Sequence, residues 1–209
     1  MNVLAIGAHF DDIELGCGGA LAKHAAAGDR VLAYVATVSG FSNPDNQVVR
    51  SSEQALAEGR MAMDVLCVQL IPGGFQTLQV EFTDDLNREI IRIVEREQID
   101  LVYTHWAGDI HHDHQSVARA SLHSCRHVKR MLMYRSNWYH ATVDFRGNFY
   151  IDITDTWALK EKAILCHASE VDRTAHRWID FFRNEAENAG QRIGVRRAEV
   201  FEVVKWLWT

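Results

Sequence analysis

The stretch Val3-Leu4-Ala5-Ile6-Gly7-Ala8-His9-Phe10-Asp11-Asp12-Ile13-Glu14 decides how this chain is read. Its first half is a short apolar run, the pattern of a strand buried on both faces. Its second half loads the end of that strand with an imidazole and adjacent carboxylates. Polar groups at this density, buried without partners, cost several kcal/mol. A core gives no reason for them; a metal ion, a catalytic centre or both would.

Outward from this stretch, apolar runs alternate with helical patterns. Gly18–Ala27 is Ala-rich and reads as a helix stopped by Gly28. Arg30–Val38 reads as a second strand, followed by a loop with Gly40, Asn43, Pro44 and Asn46. Val48–Leu66 reads as a helix, with Val49, Leu56, Met63 and Leu66 near one face. Cys67–Ile71 reads as a third strand ended by Pro72-Gly73-Gly74. Thr83–Glu97 opens on an N-cap signal and places Leu86, Ile90, Ile93 and Val94 at helical spacing. Leu101–His105 is a fourth strand, and a helix is expected from Gln115. Farther on, Met131–Tyr134 and Phe149–Ile153 read as strands, Asp155–His167 and Arg173–Ala189 as helices, and Glu199–Trp206 as a closing strand. The alternation predicts an α/β fold: a Rossmann-like three-layer sandwich with a mostly parallel sheet. With two prolines and no low-complexity linker, the 209 residues read as one domain spanning 1–209.

Composition excludes several classes. The formal charge is −6 and the basic residues are scattered, so no nucleic-acid surface is expected. No run of about 18 apolar residues suggests a membrane span. Cys17, Cys67, Cys125 and Cys166 lie far apart and form no CxxC pair. With no secretory leader pattern at the start, a cytoplasmic protein with reduced thiols is expected. Composition leaves homo-oligomer formation open.

In open parallel sheets, ligands sit outside the carboxyl ends of the strands. His9, Asp11 and Asp12 stand at one such end. Asp12 alone could be a helix cap. A nucleotide loop is disfavoured: Gly7, Gly16, Gly18 and Gly19 do not form GxGxxG, and Asp11, Asp12 and Glu14 would repel a pyrophosphate. The fourth strand ends in Thr104-His105-Trp106, then Gly108-Asp109-Ile110-His111-His112-Asp113-His114. Three histidines and two aspartates fall within six residues there, with His112 read as the bystander. Imidazoles and carboxylates suit Zn²⁺ or another borderline divalent ion. Two His and one Asp leave positions open for water and substrate, the mark of a catalytic site. Which of the adjacent aspartates binds metal stays open on the residues alone. So do two other functions: a non-haem Fe(II) oxygenase, whose ligand set His9-x-Asp11…His114 imitates, and a non-catalytic metal- or sugar-binding module. His105 is read as structural, Cys17 as a small buried residue, and Trp106, Trp138 and Tyr139 as packing or sugar-stacking groups.

Taken together, Ala8-His9-Phe10-Asp11-Asp12-Ile13-Glu14 and Asp109-Ile110-His111-His112-Asp113-His114 resemble the paired motifs of the LmbE-like, or PIG-L, zinc-dependent N-deacetylases. Arg50-Ser51-Ser52-Glu53 resembles the family's Arg-x-x-Glu, and Ala198-Glu199-Val200-Phe201 its closing Ala-Glu-x-Phe. Phe10 stands where the family usually has proline, and Ile110 where some thiol-cofactor deacetylases carry Arg. The resemblance implies His9, Asp12 and His114 as metal ligands and Asp11 as general base. It implies His111 facing the carbonyl oxygen, Asp113 orienting His111, and Arg50 contacting substrate. The implied cofactor is Zn²⁺ or Fe²⁺. The implied partner is a small N-acetylglucosamine-type amino-sugar conjugate, from which an acetyl group is removed.

Overall fold

The computed structural model describes residues 1–208. The strands are β1 (Asn2–Gly7), β2 (Arg30–Thr37), β3 (Phe41–Ser42), β4 (Val48–Arg50), β5 (Gln69–Phe75), β6 (Leu101–His105), β7 (Arg130–Tyr134), β8 (Phe149–Asp152) and β9 (Ala198–Trp206). The helices are α1 (Asp12–Ala26), α2 (Ser52–Leu66), α3 (Asp84–Arg96), α4 (His112–Ser124), α5 (Trp157–Leu165), α6 (Ala168–Arg173) and α7 (Arg177–Ile193). Seven strands form one sheet in the order β5-β2-β1-β6-β7-β9-β8. The first five are mutually parallel. β9 and β8 add antiparallel pairings at one edge.

The sheet is covered on both faces, which is why β1 reads as an unbroken apolar run. Val3 and Ala5 belong to the core cluster shared with Leu21, Leu66 and Ala163 of α1, α2 and α5. Leu4 and Ile6 belong to the opposite cluster, with Leu86, Ile90 and Val117 of α3 and α4. The chain lays down β1, β2 and β5 in one direction, then returns to β6 and β7 on the other side of β1. The strand order therefore reverses between β1 and β6, where a crevice opens at their carboxyl ends. Among the described residues no helix is long and apolar enough to cross a membrane.

Several boundaries differ from the sequence reading, each for a local reason. α1 starts at Asp12, so Glu14 and Gly16 are helical. Gly16 is required there because a Cβ would stand 2.1 Å from the Tyr134 ring of β7. Val48–Arg50 is not the start of a helix but one arm of the β3–β4 hairpin; α2 begins after Ser51, whose hydroxyl accepts the Gln54 N–H. β5 runs through Pro72-Gly73-Gly74 instead of ending there. It is an edge strand, and edges tolerate proline. α4 begins at His112, not Gln115, with the His111 ring accepting the Asp113 N–H as its cap. The helix expected from Arg173 starts only at Arg177, as α7; Arg173 closes the separate helix α6, and Thr174–His176 lie between the two.

The closing Ala-Glu-x-Phe segment proves structural. Phe201 is fully buried, edge-on to Tyr103 at 5.1 Å. Glu199 reaches into the middle of α1 and accepts the N–H groups of Gly19 (2.9 Å) and Ala20 (2.7 Å). Lys160 pairs with Glu199 at 2.6 Å and donates to the Leu15 carbonyl at 2.8 Å. The Thr156 hydroxyl donates to the Gly19 carbonyl at 2.8 Å. Lys160 is 2% exposed and Glu199 5%. A buried ion pair is thus inserted against the backbone of the helix that carries Asp12. Removing one partner strands the other charge, at a cost of about 3–5 kcal/mol. Glu199→Ala should lower stability by about that amount in urea unfolding, whereas exposed Asp84→Ala should change it by under about 0.5 kcal/mol.

Candidate active site

The two polar segments meet at the crevice. The turn after β1 delivers His9 and Asp11 and α1 opens on Asp12, while the loop after β6 delivers Asp109 and His111 and the first turn of α4 delivers His112, Asp113 and His114. His9 Nδ1 lies 3.3 Å from Asp12 Oδ2, His114 Nε2 lies 3.2 Å from Asp12 Oδ1, and the two ring nitrogens are 3.3 Å apart. Each imidazole is held from behind. His9 Nε2 lies 2.8 Å from Asp113 Oδ2, and His114 Nδ1 lies 3.1 Å from Asp109 Oδ2. Carboxylates only accept, so the outer nitrogens carry hydrogens, while the inner nitrogens facing Asp12 carry a proton or, once deprotonated, present a lone pair to a cation.

That convergence suits a cation. Burial pulls the His9 imidazole down, but Asp113 and Asp12 outweigh it and raise it to about 9. Burial likewise opposes His114, yet Asp12 and Asp109 raise it to about 10. The carboxylates thus make the inner face a strong site for positive charge. The residues fit a divalent ion by size as well. Tetrahedral zinc, with bonds of about 2.0–2.1 Å, sets its ligand atoms about 3.3–3.4 Å apart. Three other sets also converge: His111, His112 and Asp113, with His112 exposed, and two that share His114, namely His9, His111 and His114, and Asp12, His105 and His114. In the two that share His114, the extra histidine already has one ring nitrogen taken by backbone. His105 Nε2 accepts the Ala8 N–H at 3.0 Å, and His111 Nδ1 accepts the Asp113 N–H at 3.2 Å.

Asp113 meets the His111 ring through its backbone N–H and not through its carboxylate, the group the resemblance implies for orienting it. Its carboxylate turns to His9 and is fixed by the N–H groups of Leu78 (2.8 Å) and Val80 (3.0 Å). The surroundings of His111 disfavour its charged form. Burial, then the neighbouring His114 and His9, lower it to about 4. With Nδ1 accepting from backbone, neutral His111 keeps its hydrogen on Nε2. His112 is the outward member of the run, with its side chain 57% exposed.

Asp11 stands apart from the triangle. It is the N-cap residue of α1, makes no capping hydrogen bond, and has φ 135°. A non-glycine residue in that region is strained by about 1–3 kcal/mol, a feature that clusters at functional sites. Burial and the Asp12 carboxylate raise its pKa to about 7, against the pull of Arg50. Phe10, in the place of proline, is buried and packs on Gly59, and its N–H donates to Ser39 Oγ at 2.8 Å. Proline could not make that bond.

Arg50 lines the cleft but is 2% exposed. Its terminal nitrogens are engaged by Phe10 O, Asp11, Glu58 and His167. Its ion-pair partners are Asp11 and Glu58, not Glu53. The cleft holds about 370 Å³, with Phe41, Trp138, Tyr139 and Trp178 among its walls. Trp106 is buried against Phe145 instead.

Sequence reasoning assigned no role to Asp109, Ser136, Asn137 or His167. Ser136 Oγ donates to Asp12 Oδ1 at 2.9 Å, and Asn137 Nδ2 to both Asp109 oxygens at 2.7 and 2.8 Å. Their signal was present: a polar pair just past the carboxyl end of the apolar strand Met131–Tyr134. His167, in the α5–α6 connection, gives no such signal. Cys17 is buried and bonds nothing in the site; burial pushes its thiol well up.

A family model described as PIG-L, GlcNAc-PI de-N-acetylase, matches residues 4–125. A protein of Escherichia coli (strain K12), described as the uncharacterized deacetylase YaiS, is 35% identical over 152 residues, covering 66% of this chain and 76% of that protein. The N,N'-diacetylchitobiose deacetylase structure from Pyrococcus horikoshii is similar at TM-score 0.81 and 23% identity, covering 97% of this chain and 83% of that one. GalB, the 4-carboxy-2-hydroxymuconate hydratase from Pseudomonas putida KT2440, is similar at TM-score 0.82 and 17% identity, covering 100% and 98%.

Outer partners of metal-bound histidines typically carry a 10–100-fold share of metal affinity. Asp113→Asn should therefore weaken Zn²⁺ binding by about that factor in chelator competition, while His127→Gln, at an exposed position beyond α4, should leave it within about twofold.

Proposed function

The chain belongs to the PIG-L deacetylase family, and from that premise we propose that it is a zinc-dependent N-deacetylase acting on an N-acetylglucosamine-type amino-sugar conjugate. The products are acetate and the free amine. One observation carries the reading: two imidazole nitrogens and a carboxylate spaced for a divalent ion share one cleft with a further carboxylate and imidazole that stand outside the triangle. Pure binding needs neither of those extra groups. The fold alone does not decide the chemistry, since a hydratase shares it.

His9, Asp12 and His114 would hold the metal, with Zn²⁺ or Fe²⁺ fitting the donors. Bound there, the ion supplies a Lewis acid that makes water acidic near neutral pH and polarises the acetyl carbonyl. Asp11 takes the proton of the attacking water and returns it to the departing amine. Positioned proton transfer of this kind contributes about 10²–10⁴-fold. A dication bound beside it would keep Asp11 ionised and able to take that proton. His111 donates its Nε2 hydrogen to the acetyl oxygen as negative charge builds there, and it does so as a neutral group. Loss of one such donor costs on the order of 10²–10³ in rate. Trp138 and Tyr139, partly exposed aromatic groups of the wall, are placed to stack on a pyranose ring.

The oxygenase alternative fits poorly with a mostly parallel, helix-covered sheet. The test is acetate release from free, nucleotide-linked, lipid-linked and glycoside forms of N-acetylglucosamine by metal-loaded protein. Release with an equivalent of primary amine supports the reading; metal-loaded protein that hydrolyses none of them favours a binding module. Within an active assay, Asp11→Asn should retain zinc and lose about 10²–10⁴ in kcat, whereas Asp12→Asn should lose zinc. The reverse pattern exchanges the two roles.

A further inference from the structure

Behind Asp11 lies a closed ring of buried polar side chains for which the reaction has no direct use. Arg50 Nη1 donates to the Phe10 carbonyl at 3.0 Å and to Asp11 Oδ2 at 3.4 Å. Arg50 Nη2 donates to Glu58 Oε2 at 2.7 Å and to His167 Nδ1 at 3.1 Å. Glu58 is itself fixed by the Ser169 N–H (2.9 Å) and hydroxyl (2.7 Å). His167 Nε2 meets Glu14 Oε1 at 2.7 Å. Glu14 sits on α1, just past Asp11 and Asp12, so the ring returns to the segment it started from. Exposure is 2% at Arg50, 5% at Glu58, 0% at His167 and 1% at Glu14.

We propose that Arg50, locked by Glu58, His167 and Glu14, is the positioning residue that holds Asp11 in its working geometry, rather than a contact for substrate. This rests on the reading of Asp11 as the base. The geometry around Asp11 argues for it. One nitrogen grips both the peptide carbonyl before Asp11 and the Asp11 carboxylate, so it fixes backbone and side chain together. Asp11 needs such a grip, because it has positive φ and no capping hydrogen bond. The ring also has a single hydrogen-bonding sense. Arginine can only donate, so His167 Nδ1 accepts and its Nε2 hydrogen goes to Glu14. Arg50 Nε is left buried and unpartnered, so the guanidinium is placed for the reach of its two terminal nitrogens. Buried ion pairs add little stability over apolar packing, which makes geometry the better reason to retain this one.

Arg50→Lys keeps the charge and loses the fork; His167→Leu removes the lock and leaves Arg50 in place. A misplaced catalytic group costs up to about 10²-fold. Both variants should lose about 10- to 100-fold in kcat with KM within about twofold and zinc content unchanged. Added guanidinium should recover part of the kcat of Arg50→Ala. Crystal structures of the zinc-loaded native protein and both variants supply a readout free of turnover: Asp11 should leave its positive-φ conformation in each variant. A raised KM with unchanged kcat, or Asp11 unmoved in the variant crystals, overturns the proposal. Native protein that hydrolyses no amide overturns the deacetylase reading instead, and the crystals still decide whether Arg50 holds Asp11.

Discussion

Two imidazole nitrogens and a carboxylate facing one another across about 3.3 Å form an arrangement that calls for positive charge between them, as protons or as a metal ion. His9, Asp12 and His114 are in that arrangement, and much of the surrounding structure keeps them there. Asp113 and Asp109 hold the two imidazoles by their outer nitrogens. Backbone N–H groups of Leu78 and Val80 hold Asp113, and Asn137 holds Asp109. Ser136 and the His9 N–H hold Asp12. The restraints come from the ends of β1, β6 and β7 and from the loop after β5, so four segments distant in sequence must assemble before the site exists.

The same economy of hydrogen bonds explains two other buried charged groups. Lys160 and Glu199 serve the backbone of α1, and their removal tells on stability. Arg50, Glu58, His167 and Glu14 serve the loop that opens α1. Both sets converge on the helix whose first turn carries Asp12. A helix packed this closely, with Gly16 against Tyr134, leaves little freedom for the residues at its start.

The fold was legible because its signals are local. Apolar strands of five to eight residues, Gly28 after an Ala-rich helix, and Thr83 ahead of α3 each act within a few positions. Misread boundaries lie where tertiary context overrules local pattern. Pro72-Gly73-Gly74 stays in a strand because that strand is an edge, and Val48–Arg50 pairs with β3 instead of joining a helix. The site was legible in residue type and region. Partnerships were not: Asp113 lies next to His112 and His114 in sequence, yet its hydrogen bond is to His9, 104 residues away.

By itself, the sequence determined the layering, the strand ends that carry the chemistry, the imidazole and carboxylate set, and the family to which those motifs point. These follow from periodicity and composition, which need no knowledge of distant neighbours. Only the tertiary structure decided which carboxylate backs which imidazole, that burial disfavours a charge on His111, that Arg50 is enclosed rather than exposed, and that His167 has a place in the site. Each of those depends on burial and on through-space contacts a few ångströms long between residues far apart in the chain, and no local pattern encodes them. The opening run His9-Phe10-Asp11-Asp12 shows both sides: its residues announce a site, and its fold-wide contacts divide the labour among them.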